Sequence, residues 1–295
     1  MTRVLVTGSE GFIGRHVAAL LRSNGLEVFT MDLVGEGLLH TLMDLRSKEL
    51  KIFVKRIQPQ VIIHLAAQVD VLRSMSNPKD DLEINGLGTL ELVQAAGLAG
   101  VKKFIFVGSG GAIYDSVSPM PVNELTNTNP LSPYGLSKLL AEGYVRIFCQ
   151  EYGIEWVSLA LSNCYGDVRH HKRGVIYNFY NCLINGNVPV INGAEVTRDF
   201  VHVDDVARAI LLAIRKTPNC RINISSNSEV QLLELCKLVA SVLGKETSPN
   251  IRELREGDVL RSRLDNSLAK KLLGWSPDVD LISGLKKSLL GDGSL

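Results

Sequence analysis

Three glycines, spaced three residues apart, separate the first β-rich run of the chain from its first helical pattern. Arg3–Thr7 is a short apolar run that predicts a buried parallel strand, and His16–Arg22 follows as a helix. Gly8, Gly11 and Gly14 lie between them. Such glycines let the backbone turn tightly and approach a pyrophosphate, which lies at the positive end of the helix. Because the triplet follows a strand and opens a helix, it predicts a dinucleotide-binding βαβ unit.

The acidic residue after the second strand indicates which dinucleotide is bound. The run Glu27–Met31 predicts a strand that ends at Asp32. A carboxylate at this distance from the glycines holds the 2′-hydroxyl of a ribose. No arginine follows Asp32 closely, so a 2′-phosphate would meet an uncompensated negative charge. The sequence therefore favours NAD over NADP.

Tyr134 and Lys138 form a pair with the spacing of acid–base chemistry. Four residues apart on a helix predicted over about 134–151, their side chains lie on one face. A free phenol titrates near pH ~10, and a neighbouring ammonium moves that pKa toward neutrality, where proton transfer is most efficient. The same spacing is common on structural surface helices, so the interpretation depends on the rest of the chain.

Strands and helices alternate through the first half of the sequence. Further apolar strands are predicted at Val61–Leu65, Lys103–Val107 and Trp156–Leu161, with a helix over about 80–98. This order predicts an α/β fold with a Rossmann-type, doubly wound parallel sheet covered on both faces. Past Asn163 the pattern loosens, which predicts a smaller, discontinuous C-terminal substrate domain. The expected division is 1–163 plus about 198–225 for the NAD-binding domain, and about 164–197 plus 226–295 for the substrate domain.

Composition excludes several classes of partner. Lys+Arg number 32 and Asp+Glu 31, so a net charge of +1 gives no field that would recruit nucleic acid or an anionic membrane. No apolar run reaches the roughly 18 residues of a membrane span, and the first residues form a strand instead of a signal peptide. The five cysteines form no C-x-x-C pair. We expect a cytoplasmic protein with reduced thiols and no metal site.

Three further segments, together with the glycines and the Tyr134–Lys138 region, carry a family resemblance. They are His64–Val71, Arg198–Ala207 and Arg255–Val259. Over nearly its whole length the chain resembles the extended short-chain dehydrogenase/reductase superfamily, in its NAD-dependent sugar-nucleotide epimerase/dehydratase branch. The resemblance implies NAD as cofactor, a nucleotide-diphosphate sugar as substrate, with a UDP-sugar favoured, and a homodimer.

The resemblance also implies a role for individual residues around the cofactor. The backbone amides of Phe12 and Ile13 would bind the pyrophosphate. Tyr134 would shuttle the proton, and Lys138 would also bind the nicotinamide ribose. Asp44 and Asn85 could instead be solvated surface residues. The further cofactor contacts that the family pattern implies are Asp44 and Leu45 beside the adenine, Leu65, Ala66, Ala67 and Gln68 under the nicotinamide ribose, and Asn85 on the following helix.

On the substrate side, the resemblance aligns Arg198 and Arg255 with two arginines that grip the diphosphate. Guanidinium groups suit this because they bind phosphate oxygens through two parallel hydrogen bonds. Asn163 would also contact the diphosphate, and Asp258 would lie near the nucleotide ribose. Ile191 would pack on the base, or belong to the strand core. The basic run 170–173 could close over the diphosphate, although a solvated loop is favoured.

One position departs from the family pattern. Where related 4-epimerases carry a serine or threonine that hydrogen-bonds the reacting oxygen, this chain has Gly110, with Ser109 one residue earlier. Either Ser109 or a water would supply the hydrogen bond. The segment also lacks the Asp-Glu pair that dehydratases place there, which argues against a 4,6-dehydratase.

The expected activity is therefore that of an isomerase. The resemblance implies NAD-dependent epimerisation at C4 of a nucleotide sugar through a transient 4-keto intermediate, with Tyr134, Lys138 and Ser109 as the catalytic residues. A 4-ketoreductase acting on a nucleotide-linked 4-keto-6-deoxy sugar has the same fold and stays open. A non-catalytic dinucleotide-binding scaffold is a third interpretation, against which Tyr134 and Lys138 count.

Overall fold

The computed structural model describes residues 1–114, 118–169, 171–216, 218–254 and 259–291. Strands and helices alternate through the first half of the chain, as the sequence predicts. The strands are β1 (Arg3–Thr7), β2 (Glu27–Asp32), β3 (His40–Leu42), β4 (Val61–His64), β5 (Lys103–Ser109), β6 (Glu155–Leu161), β7 (Asn163–Tyr165), β8 (Val190–Asn192), β9 (Thr197–Arg198), β10 (Phe200–His202), β11 (Cys220–Ile224), β12 (Val230–Gln231) and β13 (Asn250–Arg252).

The central sheet of the described chain has seven strands in the order β11-β6-β5-β4-β1-β2-β3, and all of its pairs are parallel. At the centre of the sheet, Val4 of β1 lies opposite Val28 of β2 on one side and opposite Val61 of β4 on the other. The order reverses on either side of β1, which confirms the predicted doubly wound, Rossmann-type sheet. Strand β3 was not predicted, because three residues are too short to show a hydrophobic period.

The structure contains the three helices that the sequence predicts at 16–22, about 80–98 and about 134–151, one of them with a local interruption. The short helices Leu50–Ile57, Val71–Ser76 and Gly110–Ile113 were not predicted. The predicted helix over about 80–98 begins at Pro78 and is interrupted by a π-helical segment, Leu82–Leu87. π-Helical turns are rare and occur often at functional sites. The helices are α1 (Phe12–Ser23), α2 (Leu50–Ile57), α3 (Val71–Ser76), α4 (Pro78–Asp81), α5 (Gly88–Leu98), α6 (Gly110–Ile113), α7 (Pro133–Tyr152), α8 (Gly174–Ile184), α9 (Val203–Arg215), α10 (Leu232–Val242), α11 (Ser267–Leu273) and α12 (Leu281–Leu290).

Alternate side chains of the sheet strands form two hydrophobic cores, one on each face. In β1, Val4 and Val6 belong to the core that α1 and α9 cover, whereas Leu5 belongs to the opposite core. Successive strand residues point to opposite faces, so a strand buried on both sides must be apolar at every position. This is why the uninterrupted run Arg3–Thr7 has the signature of a central strand.

A third core forms a second lobe, built mainly by α8, α10 and α12. Three short strand pairs accompany it: β7 with β10, β8 with β13, and β9 with β12. The C-terminal segment does not belong wholly to this lobe, because Ala269, Leu273 and Trp275 pack into the core under the sheet. We therefore propose a sheet domain that also includes α11, which the sequence-based division had placed in the smaller domain. Within the described residues, no helix combines the length and apolar character that crossing a bilayer requires.

Candidate active site

The glycine-rich turn after β1 brings the start of α1 close to the neighbouring strand end. Gly8 has a φ of +70°, and a Cβ there would lie 2.5 Å from the backbone nitrogen of Ala66. A Cβ on Gly14 would lie 2.1 Å from the carbonyl oxygen of Gly8. Only glycine fits such close approaches. The N-terminus of α1 consequently opens into a cavity, with the first-turn N–H groups available to a phosphate.

Asp32 stands at the end of β2 beside this turn. Its Oδ2 accepts a hydrogen bond from the backbone N–H of Glu10 at 2.8 Å, and its Oδ1 accepts one from Leu33 at 2.6 Å. The carboxylate is thus fixed against the glycine turn and lines the cavity. This position fits a ribose hydroxyl donor, and a phosphate there would be repelled.

Asp44 and Leu45 also line the cavity, but Asp44 has an ionic partner that the sequence did not predict. Arg46 donates to it from Nε at 3.0 Å and from Nη2 at 2.7 Å, and the guanidinium keeps the pKa of Asp44 below its usual value. Arg46 itself lines the cavity and also reaches Asp80 at 3.3 Å. The pairing of Asp44 with Arg46 could not be predicted from their separation of two residues, because it depends on the turn between β3 and α2.

The segment Leu65–Gln68 forms the next part of the cavity wall, and Asn85 holds it in place. Asn85 Oδ1 accepts from the backbone N–H of Gln68 at 2.8 Å, and its Nδ2 donates to the Gln68 carbonyl at 2.9 Å. Asn85 is buried and is not part of the described cavity wall. The structure places Asn85 behind Gln68, whose backbone it holds, and the predicted contact between Asn85 and the cofactor stays a prediction.

Tyr134 and Lys138 lie on α7, which begins at the hydrogen bond from Gly135 N–H to the Ser132 hydroxyl. Both line the cavity. Lys138 is buried, donates from Nζ to the Val107 carbonyl at 2.7 Å, and lies 4.4 Å from the ring centroid of Phe106. Burial lowers the pKa of Lys138 to about 8, against the raising effects of two carboxylates.

The pKa of Tyr134 departs from the sequence-based expectation. Burial raises it, and a hydrogen bond with the Ser109 side chain works in the opposite direction. The predicted lowering by Lys138 is wrong for this structure, in which Lys138 is not among the causes. The physical reason is that the ammonium is held at the end of β5 by the Val107 carbonyl, while the phenol faces Ser109.

The structure also distinguishes between Ser109 and Gly110. A Cβ on Gly110 would lie 2.5 Å from Cδ1 of Leu264 and 3.2 Å from the Ala160 carbonyl oxygen. Leu264 is buried, so a side chain at position 110 would point into packed core, away from the cavity. Ser109 lines the cavity and bonds Tyr134. The hydroxyl that bonds the phenol is therefore that of Ser109.

The predicted substrate residues are only partly brought together. Asn163 lines the cavity and donates from Nδ2 to the Asp199 carbonyl at 3.1 Å. The Nη1 of Arg198 donates to the Thr197 carbonyl at 2.8 Å, and Arg198 is not part of the described cavity wall. Ile191 has a side chain that is 1 % exposed, in the core of the second lobe, so it offers almost no surface to a base. Arg255 and Asp258 lie outside the described residues.

The described part of the basic run after β7 is an irregular loop in which Lys172 and Arg173 are exposed, which agrees with the favoured interpretation of a solvated loop. His171, Lys172 and Arg173 all line the cavity, whereas His170 lies outside the described residues. The His171 ring stacks on Phe12 with ring centroids 4.1 Å apart. Burial and the nearby Arg173 lower the pKa of His171 to about 4, so the ring is neutral at physiological pH. A residue of the second lobe thus contacts the first residue of α1.

The groups that line the wall surround one cavity of about 1260 Å³, which runs from the glycine turn to α8. That volume exceeds the roughly 300–1000 Å³ of a site for a single drug-sized ligand. One end has the phosphate-binding helix terminus and Asp32, and the middle has Tyr134 with Ser109. The residues present therefore fit NAD at the sheet end, and they leave room for a second ligand toward the second lobe. Among the described residues, no cluster of His, Cys, Asp or Glu is arranged to hold a metal ion.

Comparison with known proteins agrees with this geometry. The UDP-glucose 4-epimerase of Mycolicibacterium smegmatis is 34 % identical over 304 residues, covering 97 % of each chain. The structure of UDP-glucose 4-epimerase from Thermotoga maritima with UDP-glucose is 36 % identical, with a TM-score of 0.93 and 98 % coverage of both chains. The Thermus thermophilus UDP-glucose 4-epimerase complex with NAD is 33 % identical, with a TM-score of 0.90 and the same coverage.

These relatives are the UDP-glucose 4-epimerases that the sequence resemblance favoured. Residues 4–225, which include the whole central sheet, match the NAD dependent epimerase/dehydratase family. This chain belongs to the NAD-dependent epimerase/dehydratase family.

Proposed function

We propose that this protein epimerises the C4 hydroxyl of a UDP-hexose, with NAD as a cofactor that is regenerated in each turnover. The observation that carries the proposal is the placement of Tyr134, Ser109 and Lys138 on one wall of a cavity with room for two ligands. The relatives support the choice of ligands, since one is a complex with UDP-glucose and another a complex with NAD.

The chain's own residues account for the proton transfer. Tyr134 takes the proton of the 4-hydroxyl and later returns it, and Ser109 stabilises the phenolate through their hydrogen bond. Lys138 contributes a positive charge beside the pair and hydrogen bonds to the nicotinamide ribose. When bound, NAD supplies a reversible acceptor for the C4 hydride and a positively charged ring. A 4-keto sugar would have to turn about its diphosphate linkage to present its other face for return of the hydride, and the wide cavity leaves room for that rotation.

The substrate would be held mainly through its diphosphate. Asn163 is already at the cavity wall. We propose Arg198 and Arg255 as the cationic ligands, with Asp258 at the nucleotide ribose. For Arg198 this requires its side chain to leave the Thr197 and Leu260 carbonyls and turn toward the cavity, where phosphate oxygens would replace them as acceptors.

The experiment that tests the function is interconversion of UDP-glucose and UDP-galactose. We expect conversion with catalytic amounts of NAD and no net change in nicotinamide absorbance, because an epimerase returns the hydride that it takes. Stoichiometric consumption of NADH with a 4-keto sugar, without interconversion of 4-hydroxy epimers, would identify a 4-ketoreductase. Binding of NAD without turnover of any nucleotide sugar would support the scaffold interpretation.

We also propose that the protein is a homodimer that pairs through α7. Leu136, Leu140 and Ile147 are exposed apolar residues on one face of that helix, at spacings of four and seven. Leu82 lies beside Leu140 above Gly86, where both side chains come within 3.4 Å of the position that a Cβ would take. The two helical segments thus present one apolar surface to solvent.

Light scattering on the wild type and on Leu140→Glu tests this interface. We expect the wild type to be a dimer and Leu140→Glu to be a monomer. Leu125→Glu, at a more exposed leucine elsewhere, should leave the dimer intact. A monomeric wild type would contradict the proposal. For its location we propose the cytoplasm, supported by five cysteines that are all unpaired thiols.

A further inference from the structure

Asp81 is a buried carboxylate that the proposed proton transfer does not use. It is the last residue of α4, and its side chain is 1 % exposed. Helix α4 packs against α7, which carries Tyr134 and Lys138. A carboxylate in such a position is costly unless hydrogen bonds or an opposite charge compensate for the lost water.

Two amide groups bind one of its oxygens. Asp81 Oδ1 accepts from Gln68 Nε2 at 2.9 Å and from Asn85 Nδ2 at 3.1 Å. Its Oδ2 has no hydrogen-bond partner among the described residues. Because Asn85 also binds both backbone groups of Gln68, the carboxylate is joined directly to the wall of the cavity. Both of its hydrogen-bond donors are neutral, so they leave its charge unbalanced.

Lys138 is the complementary case, a buried cation without a direct anionic partner. Its Nζ is bonded to a neutral carbonyl, that of Val107. The other carboxylate that acts on it, Glu142, is already paired with Arg221 through Nε–Oε1 at 2.9 Å and Nη2–Oε1 at 2.5 Å. Asp81 is therefore the carboxylate of the described residues whose charge is left to balance Lys138.

Other charged groups on the elements around α7 do not take the place of Asp81 as the carboxylate that balances the charge of Lys138. His64, on β4, is buried and neutral, since burial and Lys138 lower its pKa to about 3. Arg146 and Glu151 are exposed on the distal half of α7. The remaining charged side chains on these elements form surface ion pairs, which are Arg73–Asp80, Lys79–Glu83, Lys51–Glu91 and Lys103–Glu155.

We propose that Asp81 is a positioning residue whose negative charge keeps Lys138 protonated beside Tyr134, while its Oδ1 anchors the cavity wall at Gln68. The catalytic meaning of this role rests on the proposed epimerase function. The directions of the pKa shifts agree with it: Asp81 raises the pKa of Lys138 against the effect of burial, and it raises that of Tyr134 as well.

Asp81→Asn separates charge from structure. The asparagine Oδ1 can still accept from Gln68 and Asn85, and its new amide replaces the oxygen that has no partner. The first readout is a spectrophotometric titration of the phenolate band, in which subtracting a Tyr134→Phe background isolates Tyr134. Without the negative charge, the phenolate is easier to form, so we expect the Tyr134 midpoint to fall by about one pH unit, the lower end for a neighbouring charge.

The second readout is the pH profile of kcat/KM. In Asp81→Asn both limbs of the profile should move to lower pH than in the wild type, because the Tyr134 phenolate forms at lower pH and Lys138 loses its proton at lower pH. Glu83→Gln is the matched control. It removes a carboxylate two residues away that forms an ion pair with Lys79 at the surface, and it should leave both the Tyr134 midpoint and the pH profile unchanged.

A merely structural role would lower the rate at every pH and move neither the midpoint nor the limbs, and this result would overturn the proposal. Since the titration needs no turnover, a midpoint that moves in a protein without epimerase activity would refute only the proposed function. If Asp81→Asn does not fold, NMR of the aspartate carboxyl carbons in the wild type shows whether Asp81 is ionised. The Asp81 resonance is assigned as the one that disappears in Asp81→Glu. A protonated Asp81 at neutral pH would contradict the charge role, and an ionised one would support it.

Discussion

Replacing Ser109 by alanine should slow epimerisation by about 10- to 100-fold. Among the described residues, Ser109 is the one whose side chain lowers the pKa of Tyr134, against burial and Asp81, which raise it. A hydrogen bond to a charged group contributes roughly 1.5–3 kcal/mol, which corresponds to that loss of rate if the bond forms with the phenolate. The assay is steady-state conversion of UDP-galactose, coupled to oxidation of UDP-glucose and measured across pH.

The prediction also specifies the direction in which the pH profile of Ser109→Ala shifts. Without the hydrogen bond the pKa of Tyr134 is higher, so the limb of the profile that requires phenolate should move to higher pH. Ser162→Ala is a suitable control, because Ser162 also lines the cavity but its hydroxyl makes no hydrogen bond to Tyr134. It should leave the position of that limb unchanged.

A second variant tests whether position 110 could supply the hydroxyl. Gly110→Ser would place its Cβ 2.5 Å from Leu264 Cδ1, in packed core, and should destabilise the fold by about 1–3 kcal/mol. In the Ser109→Ala background it should restore no activity. Full activity of Ser109→Ala with an unshifted profile, or rescue by Gly110→Ser, would refute this account of the site.

Three further predictions concern the cofactor and the Tyr134–Lys138 pair. The Asp32 carboxylate should make cofactor-free protein bind NAD at least about tenfold tighter than NADP, a difference of about 1.4 kcal/mol by calorimetry. Asp32→Asn should reduce this difference in affinity, and equal affinities in the wild type would contradict the role of Asp32. Tyr134→Phe should reduce turnover by at least ~10²-fold while NAD affinity and melting temperature persist, and near-normal activity would exclude Tyr134 as the proton carrier. The wild type should become more stable as pH rises from about 8 toward 10.5, the folded and ordinary pKa of Lys138, because the buried ammonium then loses its charge. Lys138→Met should lack this rise, and thermal denaturation in which both proteins respond to pH alike would argue against the prediction.

Local patterns predicted the framework of the protein because each depends on neighbours in sequence. The apolar run Arg3–Thr7 and the glycines that follow specify a buried strand and a close turn by their own stereochemistry. Tyr134 and Lys138 share a face because a helix repeats every 3.6 residues. The π-helical segment 82–87 and strand β3 were not predicted, since neither has a period long enough to detect.

Contacts between distant segments were decided only by the tertiary structure. Whether Ser109 or Gly110 faces the phenol depends on Leu264, which is more than 150 positions away in the chain. The stacking of His171 on Phe12 and the packing of Trp275 under the sheet likewise join remote segments. Asp81 could have been noticed as a residue four positions before Asn85, but its relation to Lys138 needs α4 to pack against α7. The sequence thus determined which chemical groups the chain has and which elements carry them. Their electrostatic environment, including the direction in which the pKa of Tyr134 shifts, follows from burial, which is a property of the folded molecule.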